Sequence, residues 1–290
     1  MAGIFEIKNR IGSISKIQGI TYAMQIITIT RLKKIMVFLK KSKEAYFDIK
    51  STMAMLFNEY PEFYDQFVNS NSAAKKKPLL VLIFPNRGFC GNFNQEVITK
   101  AKKLCLEKDM DFDQVDKFLV GKRIPVFTKN QDYPVFMPEK DTLSNEETGK
   151  LFDQIEVLKE KYFPIYFVYA EFSSIVKHTF VTTQYYGIDQ KEFDLKTEID
   201  HRPIFIEPDK ESFFEAISRM YYFLKLNQIL INASCSEFSQ RFMIMKNAVD
   251  NVKELIDGLT LEFNKERQRI ITDGLLEIIS TFKALKQARS

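Results

Sequence analysis

The stretch FSQRFMIMKNAVDNVKELIDGLTLEF, residues 238–263, places Phe238, Phe242, Met245, Val249, Val252, Ile256, Leu259 and Phe263 at alternating steps of four and three. That spacing holds apolar side chains on one seam of a helix that coils against another. A second seam of Ile271, Leu275, Ile278, Phe282 and Leu285 continues it after a phase shift. The helical pattern runs from Asp209 to Ser290 and, at 1.5 Å per residue, spans about 120 Å, several times the diameter of a domain of this size. Such a helix leaves its own domain and buries its stripe against another helix, another subunit, or both.

A partner for it lies at the other end of the chain. From Ile4 to about Glu59 the pattern is helical, free of Pro, with Gly3, Gly12 and Gly19 all early. Ile4, Ile7, Ile11 and Ile14 give one heptad stretch, and Leu32, Ile35, Leu39, Tyr46, Ile49, Met53 and Leu56 another, interrupted by polar Ser42. Between them Ile17, Ile20, Met24 and Ile27 occupy a neighbouring stripe, so the apolar face is expected to drift around the helix. Two seams at the two ends of one chain satisfy each other as an antiparallel coiled coil.

The middle of the chain has a different texture. Pro61, Asn69 to Ser72, three lysines and Pro78 end the first helix. Pro78–Phe84, Lys117–Val120, Ile165–Ala170 and Thr179–Tyr186 read as strands, and Gln95–Lys108 and Asn145–Tyr162 as helices between them. Strands alternating with helices describe a βαβ sheet with helices on its faces. The expected division is an N-terminal coiled-coil helix over 1–60, a linker over 61–77, an α/β domain over 78–206 and a C-terminal coiled-coil helix over 207–290.

Bulk composition excludes several classes. The balance of 42 basic against 38 acidic residues is too mild to argue for nucleic acid, but Met1 to Lys50 carries ten Lys or Arg against Glu6, Glu44 and Asp48. Arg31, Lys33, Lys34, Lys40 and Lys41 have no aromatic stacking pattern beside them, which leaves a solvated face or an acidic protein partner. Cys90, Cys105 and Cys235 form no CxxC pair, so no disulfide framework or zinc site is expected, and a reducing compartment is the natural setting. The longest apolar run, Leu79–Phe84, is too short to span a bilayer.

Each candidate for chemistry fails on spacing. Gly88-Phe89-Cys90-Gly91 follows a strand but fits neither GxGxxG nor GxxxxGK[ST], and Gly121-Lys122 has no glycine five positions upstream. A nucleophilic Cys90 would need a base, and the chain has only His178 and His201, too few for a three-His metal site. Glu146 and Glu147 read as carboxylates on a solvated helix face. No catalytic residue, cofactor or metal site is expected. Lys265, Arg267, Gln268 and Arg269 form a polar cluster between the two seams, suited to a bidentate contact with a partner's carboxylate.

Specific residues carry a resemblance to the gamma subunit of F-type ATP synthases. They are Met1-Ala2-Gly3, Glu6-Ile7, Ile20-Thr21, Ala23-Met24 and Leu32 at the start, and Arg87-Gly88-Phe89-Cys90-Gly91 with Asn94 and Val120-Gly121-Lys122-Arg123 in the middle. In the last helix the match takes in Ser236-Glu237, Arg241, Met245-Lys246-Asn247-Ala248, Asp250-Asn251, Leu259-Thr260, Asn264-Lys265, Arg267-Gln268, Ile271-Thr272 and Leu275-Leu276-Glu277-Ile278. The resemblance spans the whole chain.

It implies an α/β protein of two long terminal helices forming an antiparallel coiled coil, with an inserted Rossmann-like domain. It also implies a non-catalytic rotor shaft, inserted in a ring of alpha- and beta-type ATPase subunits, that couples ATP synthesis or hydrolysis to rotation and proton translocation. Arg267 and Gln268 would touch a catalytic-subunit loop, Met24 would face an acidic loop, and Arg31, Lys33 and Lys34 would add to that contact. An epsilon-like stalk subunit and a membrane rotor ring are the further partners of an ordinary synthase, placing the chain peripherally at the cytoplasmic face of the cell membrane. The chain departs from the family pattern at Ile29, Asn92, Gly274, Ser280, Thr281 and Phe282. These departures leave room for a repurposed motor serving motility or transport. A nucleotide-dependent enzyme and a static coiled-coil scaffold are the readings of other classes. The interruption between the two seams, at Lys265 to Arg269, marks where such a shaft would grip its ring.

Overall fold

A computed structural model describes residues 2–69, 76–125, 133–139, 144–186, 193, 206–207 and 209–287. In chain order the elements are α1 (Ala2–Glu59), α2 (Pro61–Asn69), β1 (Lys77–Ile83), α3 (Phe93–Glu107), β2 (Asp116–Val120), β3 (Val135–Phe136), α4 (Asn145–Lys161), β4 (Tyr162–Phe172), β5 (His178–Gln184) and α5 (Lys210–Gln287). Two of these, α2 in the segment read as a linker and the two-residue β3, have no counterpart in the sequence reading. His201 lies outside the described residues, as does the side chain of Leu285.

The sheet runs β3-β2-β1-β4-β5, parallel except for the β4–β5 pair. The continuous apolar run of β1 follows from its central place, because a parallel strand covered on both faces needs apolar side chains at every position. Alternation then sorts the residues. Leu79, Val81 and Ile83, with Phe118, Val120, Ile165 and Phe167, face Leu151, Phe152 and Ile155 of α4 and Tyr221, Leu226 and Ile229 of α5. Leu80, Leu82, Leu119, Tyr166 and Val168 point the other way, onto Val97, Ile98, Ala101 and Leu104 of α3.

Two compact units make up the chain. One comprises α1 up to Thr28 and α5 from Phe242, and the other comprises Ile29–Arg241. Within the second, Leu32, Ile35 and Leu39 of α1 cluster with Cys235 and Phe238 of α5. Further on, Tyr46 meets Tyr221 through hydroxyls 3.1 Å apart, and Phe57 meets Phe214 at 6.2 Å between ring centres. As numbers rise along α1 they fall along α5, so the two helices are antiparallel. Around Phe57, α2 adds Phe63, stacked on Phe214 at 4.6 Å, and Phe67, stacked on Tyr222 at 5.4 Å. Each such pair adds about 0.5–1.5 kcal/mol beyond its buried area.

In the first unit the burial pattern corrects one expectation. The inward face of α1 does not drift. It proceeds through Ile4, Ile7, Ile11, Ile14, Gln18, Thr21, Gln25 and Thr28 at steps of three and four, all buried or half-buried. Leu32, Ile35, Leu39, Ser42, Tyr46, Ile49, Met53 and Leu56 keep the same heptad in the second unit. The middle of the seam is polar. Thr21 and Thr28 satisfy their hydroxyls on the carbonyls one turn back, Ile17 at 2.9 Å and Met24 at 2.7 Å, and so can face a helix without a partner for the hydroxyl. Ile17, Ile20, Met24 and Ile27, read as a continuation of the seam, point outward at 41–62% exposure.

The second seam of the last helix behaves likewise. Phe242, Met245, Val249, Val252, Ile256, Leu259 and Phe263 turn inward, and Glu266, Ile270 and Gly274 extend that half-buried line. Ile271, Leu275, Ile278 and Phe282 are 55–70% exposed. The phase shift moved the stripe onto the outer face.

Candidate functional site

The turn after β1 is gripped by α5. Its residues Arg87 to Gly91 include two with positive φ, Phe89 at 62° and Gly91 at 57°, which fold the backbone back and aim its amides and carbonyls at the helix. The amides of Asn86 and Arg87 donate to the Glu237 carboxylate at 3.0 and 3.2 Å. Arg241, one helical turn on, pairs with Glu237, donates Nε to the Gly88 carbonyl at 3.0 Å, and reaches Cys90 Sγ at 3.1 Å. Both charged side chains are under a tenth exposed.

Burial raises the Glu237 carboxyl, and the Arg241 guanidinium together with the two amides offsets only part of that, leaving it raised. Burial alone would lower Arg241, but the carboxylate beside it more than offsets that and leaves it raised. Cys90 is pushed up to about 12 by burial, so its thiol is inert at neutral pH.

This geometry decides what the turn can bind. In sheets of this kind the amides after the first strand are where a phosphate settles. Here a carboxylate of the same chain occupies them. The spacing of Gly88 and Gly91 fits no nucleotide motif.

The turn after β2 is closed as well. Gly121 has φ +125°, and a Cβ there would come 2.4 Å from the Phe84 carbonyl oxygen, so only glycine fits. Its amide donates to the Phe136 carbonyl at 3.0 Å, and the Phe84 amide to the Val120 carbonyl at 2.8 Å. Asn94 donates to the Arg123 carbonyl at 2.8 Å, and the Arg123 amide to the Pro85 carbonyl at 2.9 Å. The residues that carried the resemblance in mid-chain thus knit the two turns together.

One carboxylate is misplaced by the sequence reading. Glu146 is exposed, but Glu147 is buried. Its carboxylate accepts from the amides of Glu139 and Ser144, while the Ser144 hydroxyl accepts from the Glu147 amide, a capping box at the start of α4. The signal was present as Ser144-x-x-Glu147.

The residues expected to meet a partner fall into two sets. Arg267 and Gln268 are exposed neighbours on α5, beside Arg269, which is held by Glu266 and Asp273 of the same helix. Met24 is 41% exposed on α1. Lys33 and Lys34 are exposed and Arg31 half-buried further along α1, in the second unit. Arg31 and Lys34 line one groove, and Lys33 does not. The outward residues Ile17, Ile20, Ile27, Ile271, Leu275 and Ile278 were read as parts of apolar stripes and not singled out as contact residues.

Two long terminal helices, antiparallel where they pack in the second unit, with a Rossmann-like sheet domain between them whose phosphate-type turn is filled by Glu237 of the second helix, define a class of α/β proteins. The chain belongs to the ATP synthase family, whose model matches residues 4–285. It is 25% identical over 296 residues to the ATP synthase gamma chain of Azobacteroides pseudotrichonymphae, covering 99% of this chain and all of that one. Among solved structures it is similar to a chain of the Euglena gracilis mitochondrial ATP synthase, with a TM-score of 0.65 and 16% identity, over 100% of this chain and 96% of that one. It is also similar to one in the Tetrahymena thermophila central stalk and c-ring, at 0.59 and 19%, over 79% and 99%.

Proposed function

We propose that this chain is the non-catalytic central shaft of a rotary ATP synthase. The curated relative is named as a gamma chain over its full length, and a structural neighbour belongs to a central stalk. Those names favour the synthase over a motor repurposed for motility or transport. In this reading the catalytic ring makes or hydrolyses ATP, and the chain carries rotation between that ring and a membrane rotor ring, with an epsilon-like subunit at the stalk. Peripheral attachment at the cytoplasmic face of the membrane follows from those partners. Among the described residues no helix is long and apolar enough to cross a membrane itself.

The structural observation that carries the proposal is the inversion on α1. Residues 17–27 turn glutamine and threonine inward and isoleucine and methionine outward. Large exposed apolar patches are surfaces for a partner. A sleeve of ring subunits around the helix pair covers them without sequence-specific grip, as a rotating part requires. Arg267 and Gln268 supply the polar contact, Met24 faces an acidic loop, and Arg31, Lys33 and Lys34 add positive charge against an acidic surface. Because the helix pair lacks threefold symmetry, each catalytic subunit meets a different face and is biased towards a different nucleotide affinity.

The test is the purified complex carrying Arg267→Ala. ATP hydrolysis that no longer supports ion pumping in full is the expected result; unchanged activity and coupling would leave a static scaffold. ATP turnover by the lone chain would overturn the non-catalytic assignment. Cutting after Phe263 is expected to abolish coupling, since it removes the polar contact and everything beyond it.

A further inference from the structure

A groove of about 1030 Å³ opens in the second unit, between α1, α5, the turns after β1 and β2, and the start of α4. It is at the upper end of the size range of small-molecule sites. Five cationic side chains line it, Arg31, Lys34, Lys41, Arg87 and Lys122, against one carboxylate, Glu139. They come from three separate parts of the chain and converge. Lys122 is anchored by donating to the Glu139 carbonyl at 2.6 Å, whereas Lys34 and Lys41 form no ion pair with any described residue. Ile35, Phe38, Leu230 and Ile231 give the groove an apolar wall as well, with Phe38 61% exposed.

These two features together select a ligand. Cations arriving from α1 and from two strand-end turns approach from several sides, which suits a tetrahedral group with oxygens in each direction better than a planar carboxylate. A bare phosphate would leave the groove empty and the apolar wall wet. The wall is mainly aliphatic, so it matches a hydrocarbon chain. The amides that hold a nucleotide's phosphate in related sheets are filled by Glu237. We propose that the groove binds a phosphate monoester carrying an aliphatic chain, its phosphate among Lys34, Lys41 and Lys122 and its chain along Ile35, Phe38 and Ile231.

Arg31 and Lys34 also serve the ring contact in the shaft reading, so the test uses the full chain alone, where no ring is present and coupling plays no part. Dodecyl phosphate below its micelle concentration is titrated calorimetrically, beside inorganic phosphate and the neutral dodecyl maltoside. Saturable binding is expected, weakened at least about tenfold by Lys34→Glu with Lys41→Glu, with inorganic phosphate at least about tenfold weaker than dodecyl phosphate. Binding should also weaken with added salt. Both lysines are exposed, so the circular dichroism of the variant should match the parent, and Lys41→Gln, expected to show a smaller loss in the same direction, is the second check. In a flotation arm, capture by phosphatidic acid vesicles supports a bilayer source, and retention of the monomer alone supports a soluble one. Equal binding of dodecyl maltoside, equal binding of inorganic phosphate, an unaffected charge-reversal variant, or no saturation by roughly 1 mM would each overturn the assignment.

Discussion

Replacing Glu237 with Ala removes the acceptor for the Asn86 and Arg87 amides and leaves the Arg241 cation buried without its carboxylate. Breaking one side of a buried pair costs about 3–5 kcal/mol, chiefly because an uncompensated charge stays behind. Arg241→Ala should cost a similar amount, since it leaves the carboxylate with only two amides and deprives the Gly88 carbonyl of its donor. If the two residues acted independently, the double variant would lose about 6–10 kcal/mol, the sum of the single costs. Acting as one unit, they should cost about as much together as either alone, a coupling of roughly 3–5 kcal/mol. Urea unfolding of the four proteins of the cycle measures this, and hydrogen exchange at the Asn86 and Arg87 amides locates it. Single variants that cost under about 1 kcal/mol, or a double variant additive within about 0.5 kcal/mol, would refute the clamp.

Filling the polar part of the α1 seam, with Gln18→Leu, Thr21→Ile and Gln25→Leu, should raise the thermal stability of the chain by about 1 kcal/mol per residue, read by calorimetry. Gly121→Ala should destabilise by at least about 2 kcal/mol in chemical denaturation, combining a clash on the Phe84 carbonyl with a backbone angle that alanine avoids. Cys90 and Cys235 are each raised to about 12 by burial. Folding therefore favours the neutral thiol; that contribution is intact below about pH 9 and is lost as pH rises towards 12. Denaturation midpoints should fall over that window, and iodoacetamide at pH 8.5 should label the unfolded chain far faster than the folded one.

The elements that were legible in sequence share a strong period. The heptad of Met245 to Phe263 named a helix and its inward face, and the β-branched run of β1 named a central strand. What misled was reading apolar spacing as burial. Ile17, Ile20, Met24 and Ile27 repeat as regularly as a core seam, yet they lie on the outer face of α1. The true seam through Gln18, Thr21 and Gln25 was hidden, since those residues are polar. The two-residue β3 has no periodicity to detect, and α2 begins on Pro61, which reads as a break. Of the candidate site, Arg267 and Gln268 stood out as part of the polar cluster between the two seams, and only the resemblance gave them a particular partner. The Glu237–Arg241 clamp was half visible as an i, i+4 pair, but its target, about 150 positions away in Asn86 and Arg87, lies beyond any local pattern.

The filled turn after β1 also bears on how the inserted domain moves. Many sheets of this architecture are empty between visits of a diffusible ligand and change shape when it arrives. Here the occupant is tethered through the backbone, so its effective concentration is fixed by the fold and does not follow cellular supply. A phosphate could reach the Asn86 and Arg87 amides only by displacing a carboxylate that the fold itself holds there.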